Sequence, residues 1–111
     1  MEEQNLLSIR YFCTQLLERL STNLIDIRLF GSVASGTDTE ESDIDLFLLV
    51  KDDDSITRDT ILDVAFEANL EFDVLIVPII MSKEAFSRPI FIETLLYEVL
   101  KNAESVIKDH D

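Results

Sequence analysis

Two aspartates separated by one residue are the feature of this sequence best suited to chemistry. Asp43 and Asp45 stand at the start of the nearly continuous apolar run 44–50, which predicts a buried central strand. Because side chains alternate across a strand, both carboxylates project from one face, while Ile44 and Leu46 enter the core. A carboxylate pair of this kind binds hard cations such as Mg²⁺, which takes its remaining ligands from water and substrate phosphates.

A Gly-Ser pair lies ten residues before the aspartates. Gly31 follows a strand predicted at residues 24–30, and Ser32 is expected to open a short helix. The serine hydroxyl, backbone N–H groups and the helix N-terminus together suit an anion such as a phosphate. Gly-Ser by itself is a weak signal, but its combination with Asp-x-Asp at this distance is expected by chance in roughly one chain of this size in several hundred.

A third carboxylate is expected on the next strand. Alternation over residues 70–77 places Asp73 on the same strand face as Leu75 and Val77. If this strand pairs beside residues 43–50, Asp73 reaches the other two aspartates, completes a metal site and accepts the proton of an attacking hydroxyl. Glu71 has the same parity and is the alternative. A solvated aspartate at a strand edge is the competing interpretation.

The chain is strongly acidic. Its 111 residues include 9 Lys and Arg against 23 Asp and Glu, a formal net charge of -14. This charge repels a phosphate backbone, so direct nucleic-acid binding is not expected. The acidity provides either solubility or electrostatic attraction of a basic protein partner.

The single cysteine and the single histidine exclude several kinds of site. Cys13 lies in a helical apolar stripe and is expected to be a small core residue. His110 is next to the last residue, so no Ser-His triad or histidine-based zinc site is expected and catalysis must use carboxylates. The N-terminus lacks a secretory pattern, and the longest apolar run, 74–81, is too short to span a membrane. We therefore expect a cytoplasmic protein without membrane association.

Helical and strand periodicities alternate along the chain and predict one α/β domain over residues 1–111. A first helix is expected at 3–21 and a second at 55–69, after a capped turn at 52–55. The apolar stripe of the first helix consists of Leu6, Ile9, Cys13, Leu16, Leu17 and Leu20.

Beyond the second helix, Pro78 is expected to end the third strand, and Ser82 to cap a short helical turn. Pro89 suits the first turn of a last helix that reaches residue 101. The apolar face of that helix consists of Ile92, Leu95, Leu96, Val99 and Leu100. Residues 103–107 either continue the helix or form a short edge strand.

The spacing of Gly31-Ser32, Asp43-Ile44-Asp45 and Asp73 resembles the signature of the polymerase-beta nucleotidyltransferase superfamily. The short length and element order resemble its minimal nucleotidyltransferases over nearly the whole chain. The resemblance implies a small mixed sheet covered by helices, in which Gly31 and Ser32 hold the triphosphate of ATP. It also implies that Asp43 and Asp45 bind two Mg²⁺ ions and that Asp73 is the third ligand and the base.

The same resemblance implies a partner, a basic helical toxin of the HEPN class, typically an RNase. The chain would then be an antitoxin that transfers AMP from ATP to a hydroxyl of this toxin, a tyrosine near its active site. Family members commonly carry arginine in the segment after Gly-Ser, where this chain has Val33 and Ser35, and Arg28 is the nearest cation. A pairing module that neutralises its partner by binding alone is therefore one alternative. A transferase acting on a small molecule such as an aminoglycoside, completed by a homo-oligomer interface or another domain, is the other.

Overall fold

The N-terminal helix and the first strand form where the sequence predicts them. The structure is a computed structural model that describes residues 1–39 and 43–107. Helix α1 spans Glu3–Arg19, and strand β1 spans Leu24–Phe30. The buried face of α1 includes Ile9, Phe12, Cys13 and Leu16, which have the i, i+3, i+4, i+7 spacing of one helix face. Leu6 and Leu17, expected in the stripe, are instead 38% and 44% exposed.

The central segment also follows the prediction. The short helix α2 (Gly31–Ser35) comes directly after β1, and β2 spans Ile44–Val50. Helix α3 (Ser55–Phe72) starts after Asp54, whose carboxylate accepts a hydrogen bond of 2.8 Å from the Thr57 N–H group. This side-chain acceptor satisfies a backbone donor that the first helical turn leaves unpaired.

The described strands form one mixed sheet in the order β3-β2-β1-β4, where β3 is Ile76–Ser82 and β4 is Glu104–Ser105. Strand β1 is antiparallel to β2 and β4, whereas β2 and β3 are parallel and connected by α3. Helices α1 and α3 pack on one face of this sheet and enclose the larger hydrophobic core. The sheet covered by helices confirms the predicted α/β fold class.

The predicted third strand at 70–77 is wrong. Helix α3 continues through Phe72, and Asp73 terminates it in a left-handed conformation, with φ 52° and ψ 51°. Strand β3 then begins only at Ile76 and runs through Pro78, which was expected to end it. A proline is tolerated there because β3 is an edge strand of the described sheet, where one side of the backbone needs no ladder hydrogen bond.

The segment after β3 is more broken than expected. Ser82 caps a short helix as predicted, since its hydroxyl accepts a 3.1 Å bond from the Ala85 N–H group. The single helix expected from Pro89 to residue 101 is wrong, because the Thr94 hydroxyl accepts a bond from the Tyr97 N–H group and starts a new helix. The helices in this segment are α4 (Lys83–Phe86), α5 (Pro89–Ile92) and α6 (Leu95–Asn102).

The C-terminal helices cover the second sheet face only partly. Of the five apolar residues expected on the buried face of the last helix, Leu100 is buried and the others are more than a third exposed. Of the two alternatives for residues 103–107, the structure shows the short edge strand: Glu104 of the two-residue strand β4 pairs with Leu29 of β1. No described helix is long and apolar enough to cross a membrane.

Candidate functional site

The start of β2 lies against the end of β1. In the antiparallel register Asp45 is opposite Phe30, so Gly31 comes next to the Asp45 side chain. Gly31 has φ +77°, and a Cβ atom at this position would collide with Oδ2 of Asp45. Two features therefore require glycine at this position: the positive φ of the backbone and the close approach of a carboxylate. The structure brings the predicted Gly-Ser and Asp-x-Asp features together.

Asp45 projects away from the larger core. Ile44 and Leu46 are fully buried in the core under α1 and α3, as predicted, so Asp45 between them points to the opposite sheet face. Asp43 immediately precedes β2 and is exposed. Partial burial raises the pKa of the Asp45 carboxyl above its ordinary value, and the negative charge of Asp43 raises it further. The pair therefore carries like-charge repulsion that a bound cation would relieve.

The structure does not place Asp73 beside this pair. Asp73 ends α3, and the parallel register of β2 with β3 puts Val77 opposite Asp45. Glu71, the alternative third ligand, lies within α3. In the ranges 1–39 and 43–107, no three His, Cys, Asp or Glu side chains come together as a group able to hold a metal. The prediction of Asp73 on the strand beside the pair is wrong, and two carboxylates remain.

The spacing of apolar residues before Asp73 indicates that α3 extends into the segment predicted as a strand. The buried positions Ile61, Val64, Ala65 and Ala68 continue at helical spacing to the partly buried Phe72. Asp is also one of the few residues other than glycine that adopt the left-handed conformation with little cost, which suits it to a helix end. Residues 71–77 alternate in polarity as a strand does, although this segment contains the end of α3 and the start of β3.

Helix α2 is anchored by an apolar side chain and carries no charge. Val33 is buried in the core, so an arginine at this position would have to enter apolar surroundings. Ser32 is half-buried, and its carbonyl accepts a bond of 3.0 Å from the Thr37 N–H group. Gly36 ends the helix at φ +78°. The departure from arginine at Val33 thus follows from how α2 packs, whereas Ser35 is exposed and packing does not explain the residue found there.

Arg28, the nearest cation in the sequence, is committed to the fold. Its Nε atom lies 2.9 Å from Oδ2 of the buried Asp26. Its Nη1 atom donates to the carbonyls of Leu100 at 2.8 Å and Lys101 at 3.3 Å, near the C-terminal end of α6. This ion pair was not predicted from the sequence. Arg28 ties α6 to β1, and it is already engaged by groups other than a phosphate.

The donor atoms at the site fit one Mg²⁺ ion. Asp43 and Asp45 supply carboxylate oxygens, and Mg²⁺ commonly binds through one or two carboxylates together with water and substrate phosphates. A second ion, as the resemblance implies, would depend mainly on substrate oxygens. A phosphate that shared a metal ion with Asp45 would lie near Gly31, the residue that lies against Asp45.

The nucleotidyltransferase domain family matches residues 10–104 of the chain. This chain belongs to that family. It is 37% identical over 76 residues to a Methanocaldococcus jannaschii protein named "putative protein adenylyltransferase", a match covering 68% of this chain and 77% of the relative. A second protein of the same organism and with the same description is 37% identical over 83 residues, covering 75% and 79%. The chain is a nucleotidyltransferase.

Two solved structures are similar to this nucleotidyltransferase. A "putative minimal nucleotidyltransferase" has a TM-score of 0.57 and 23% identity, with 93% of this chain and 95% of that chain covered. Its likeness supports the fold class. One chain of a toxin-antitoxin structure with AMP-PNP has a TM-score of 0.49 and 28% identity, with 71% of this chain and 57% of that chain covered.

Proposed function

We propose that this nucleotidyltransferase transfers AMP from ATP to a hydroxyl group of a partner protein, with Mg²⁺ held by Asp43 and Asp45. The observation that carries the proposal is the carboxylate pair at the start of β2, of which Asp45 packs against Gly31 and faces the more open side of the sheet. The names of the two relatives at 37% identity support a protein as the acceptor.

Each site residue has a distinct task in this proposal. Gly31 and Ser32 bind the triphosphate through the backbone and a hydroxyl, and Asp43 and Asp45 hold the metal. A bound Mg²⁺ ion would lower the pKa of the acceptor hydroxyl and neutralise the triphosphate. The hydroxyl oxygen bonds to the α-phosphorus, the bond from this phosphorus to the β-phosphate oxygen breaks, pyrophosphate leaves, and the hydroxyl proton passes to solvent. Asp73 has no task, since it ends α3.

The proposed partner is a basic helical toxin of the HEPN class, encoded beside this protein, and the proposed acceptor is a tyrosine near its active site. The net charge of -14 would attract a basic surface and increase the association rate at low salt. The modified toxin would be inactive, which makes the chain an antitoxin. Since ATP is the donor, we place the reaction in the cytoplasm.

The test is co-expression with the protein of the neighbouring reading frame, followed by intact-mass measurement after addition of ATP and Mg²⁺. We expect the partner to gain the mass of one AMP unit with the wild type and none with Asp45→Asn. Asp59→Asn is a matched control, because Asp59 is an exposed carboxylate on α3. AMP transfer by Asp45→Asn at the wild-type rate would contradict the proposed site.

One observation favours a second candidate, a module that neutralises its partner by binding alone. Helix α2 carries no basic residue in its last turn, and Arg28 is bound to Asp26, so nothing described on these two elements is left to neutralise a triphosphate. The same mass measurement separates the two functions. A stable complex whose partner never changes mass, under conditions where ATP and Mg²⁺ are saturating, supports binding alone.

A further inference from the structure

Helix α6 has a wider apolar face than its own sheet covers. At about 100° per residue, Leu95, Val99, Leu96 and Leu100 follow one another around the helix within a sector of roughly 140°. Leu100, at one border of this sector, is buried, whereas Leu95 is 87%, Val99 50% and Leu96 38% exposed. The apolar stripe of a surface helix ordinarily faces its core. Here most of it faces away, and we call Leu95, Leu96 and Val99 the α6 stripe.

The preceding helix adds two more exposed apolar side chains. Ile90 and Ile92 of α5 are 80% and 41% exposed. Five large apolar side chains within residues 90–99 are thus left uncovered by the described part of the chain. Single exposed apolar residues are normal on a protein surface, but a concentration of them is typical of an interface.

The helices α4 to α6 are also the electrically neutral part of an acidic chain. Residues 83–102 contain three basic side chains (Lys83, Arg88 and Lys101) and three acidic ones (Glu84, Glu93 and Glu98). Their net charge is therefore zero, and the formal charge of -14 belongs to the rest of the chain. Two copies that meet through α6 keep most of their negative charge apart, whereas other surfaces would bring carboxylates together.

A second exposed apolar row, on α3, shows why charge decides the occupant. Leu62, Phe66 and Leu70 recur every four residues and are 47%, 54% and 74% exposed. Acidic residues stand among them at positions 59, 63, 67 and 71, and the one basic residue of this helix, Arg58, pairs with Asp53. A second copy packed on α3 would meet like charges along the whole row. The α3 row is therefore unsuited to self-association, although its side chains are as apolar as those of the α6 stripe.

We propose that the α6 stripe is the interface through which two copies of this chain form a symmetric dimer. With the two α6 helices antiparallel about a two-fold axis, Leu95 of each copy packs on Val99 of the other, because these residues lie one turn apart on one helix face. Val99 also lines a pocket of about 490 Å³ between α2 and the end of α6. The second copy therefore also covers part of the wall of this pocket. The dimer does not depend on the proposed AMP transfer.

Sedimentation of the full chain over a range of concentrations, at low and at high salt, tests the dimer. The wild type should reach the mass of two chains, each of 12.7 kDa. Its dissociation constant should fall as the salt concentration rises, because salt screens the repulsion between two acidic bodies and leaves the apolar contact in place. A complex with a basic partner would show the opposite salt dependence.

Variants on the two apolar rows locate the interface. Leu95→Glu should weaken dimerisation at least about a hundredfold, because the two-fold axis makes each interface bury the new carboxylate twice. Leu70→Glu is the matched control, since it adds the same charge at an exposed leucine of the α3 row, and it should leave the dissociation constant nearly unchanged. Val99→Thr keeps the shape of the side chain, adds a hydroxyl and should weaken dimerisation by a smaller factor. Circular dichroism of each variant checks that it is folded.

Two results would overturn the proposal. One is a wild type that keeps the mass of one chain at the highest concentration and salt. The other is a dimer that Leu95→Glu dissociates no more than Leu70→Glu does, or, if Leu95→Glu does not fold, one that Val99→Thr leaves as tight as Leu70→Glu does. Neither result bears on AMP transfer, which the mass of the partner protein reports separately.

Discussion

The two faces of the sheet differ in how completely they are covered. On one face, α1 and α3 enclose a core in which Phe12, Leu16 and Ile61 are fully buried. On the other face, the buried cluster is small and consists of Phe47, Leu49 and Leu100, with aromatic rings such as Phe91 only partly buried around it. Asp45 projects from this second face, as Phe47 and Leu49 do on the same strand. The covered face provides most of the stability, and the open face leaves room for a substrate.

The largest expected effect is on the free energy of unfolding, and it compares how much each face of the sheet contributes to stability. Phe12→Ala removes a ring that is 0% exposed and should cost about 3–5 kcal/mol in the free energy of unfolding, the usual range for a buried aromatic residue. Phe91→Ala, the same change on the open face, should cost clearly less, because that ring is only partly buried. Urea unfolding followed by circular dichroism measures both. Equal losses would mean that the two faces stabilise the fold equally.

The next effect is on catalysis and should leave the fold intact. Asp45→Asn should lower the rate of AMP transfer by at least about a hundredfold, the scale found when one preorganised charged or polar group is removed from an active site. Its unfolding midpoint should not fall, since the substitution removes a carboxylate that Asp43 repels. Adding Mg²⁺ should stabilise the wild type more than this variant, because the ion binds the folded state. A variant destabilised as strongly as Phe12→Ala would show that the open face is structural.

A pair of glycines tests how the site is positioned. Gly31 and Gly36 have nearly the same positive φ, +77° and +78°, so alanine at either costs roughly 1–2 kcal/mol of backbone strain. Only at Gly31 does the added Cβ collide with Asp45, whereas nothing lies within 4 Å of the Cβ position at Gly36. We expect similar losses of stability and a much larger loss of transfer rate for Gly31→Ala. Steady-state kinetics on both variants would refute this if their rates fell equally.

The smallest expected effect is a pH dependence of stability. The pKa of Asp45 is raised in the folded chain, so the charged form is less favourable there than in the unfolded chain. This penalty is absent below the unfolded pKa and is fully present once the pH exceeds the folded pKa. Asp45→Asn should therefore be more stable than the wild type at pH 7, and the difference should shrink as the pH falls through the acidic range. Melting temperatures from about pH 3 to pH 7, a range that begins below the ordinary aspartate pKa of about 3.9, test this; a constant difference would contradict it.

The elements around the carboxylate pair were predictable because each signal is local. Strand β2 is an apolar run that is buried on both faces, and β1 precedes a glycine that must leave the strand conformation. The parity of Asp43 and Asp45 follows from the alternation of a strand alone. The bounds of both strands and the orientation of Ile44 and Leu46 agree with the structure.

The position of Asp73 could not be derived in this way. Residues 70–77 alternate like a strand, but α3 continues through Phe72, whose partly buried ring packs 5.7 Å from the ring of Tyr11 on α1. Strand β3 therefore starts only at Ile76. Pro78 is acceptable in β3 only because β3 lies at an edge of the described sheet, a position that depends on the sheet topology. Similarly, the apolar face of α6 predicted burial, but in the described part of the chain Leu95, Leu96 and Val99 stay exposed.

By itself, the sequence determined the Gly-Ser and Asp-x-Asp features, the two long strands that bear them and the direction in which the carboxylates point, because hydrophobic alternation and glycine conformation act over a few residues. Only the tertiary structure decided that Val77, not Asp73, lies beside Asp45, that Arg28 binds Asp26 and α6, and that a pocket opens between α2 and α6. These features depend on strand register and helix packing between residues far apart in the chain, whose energies no local pattern contains.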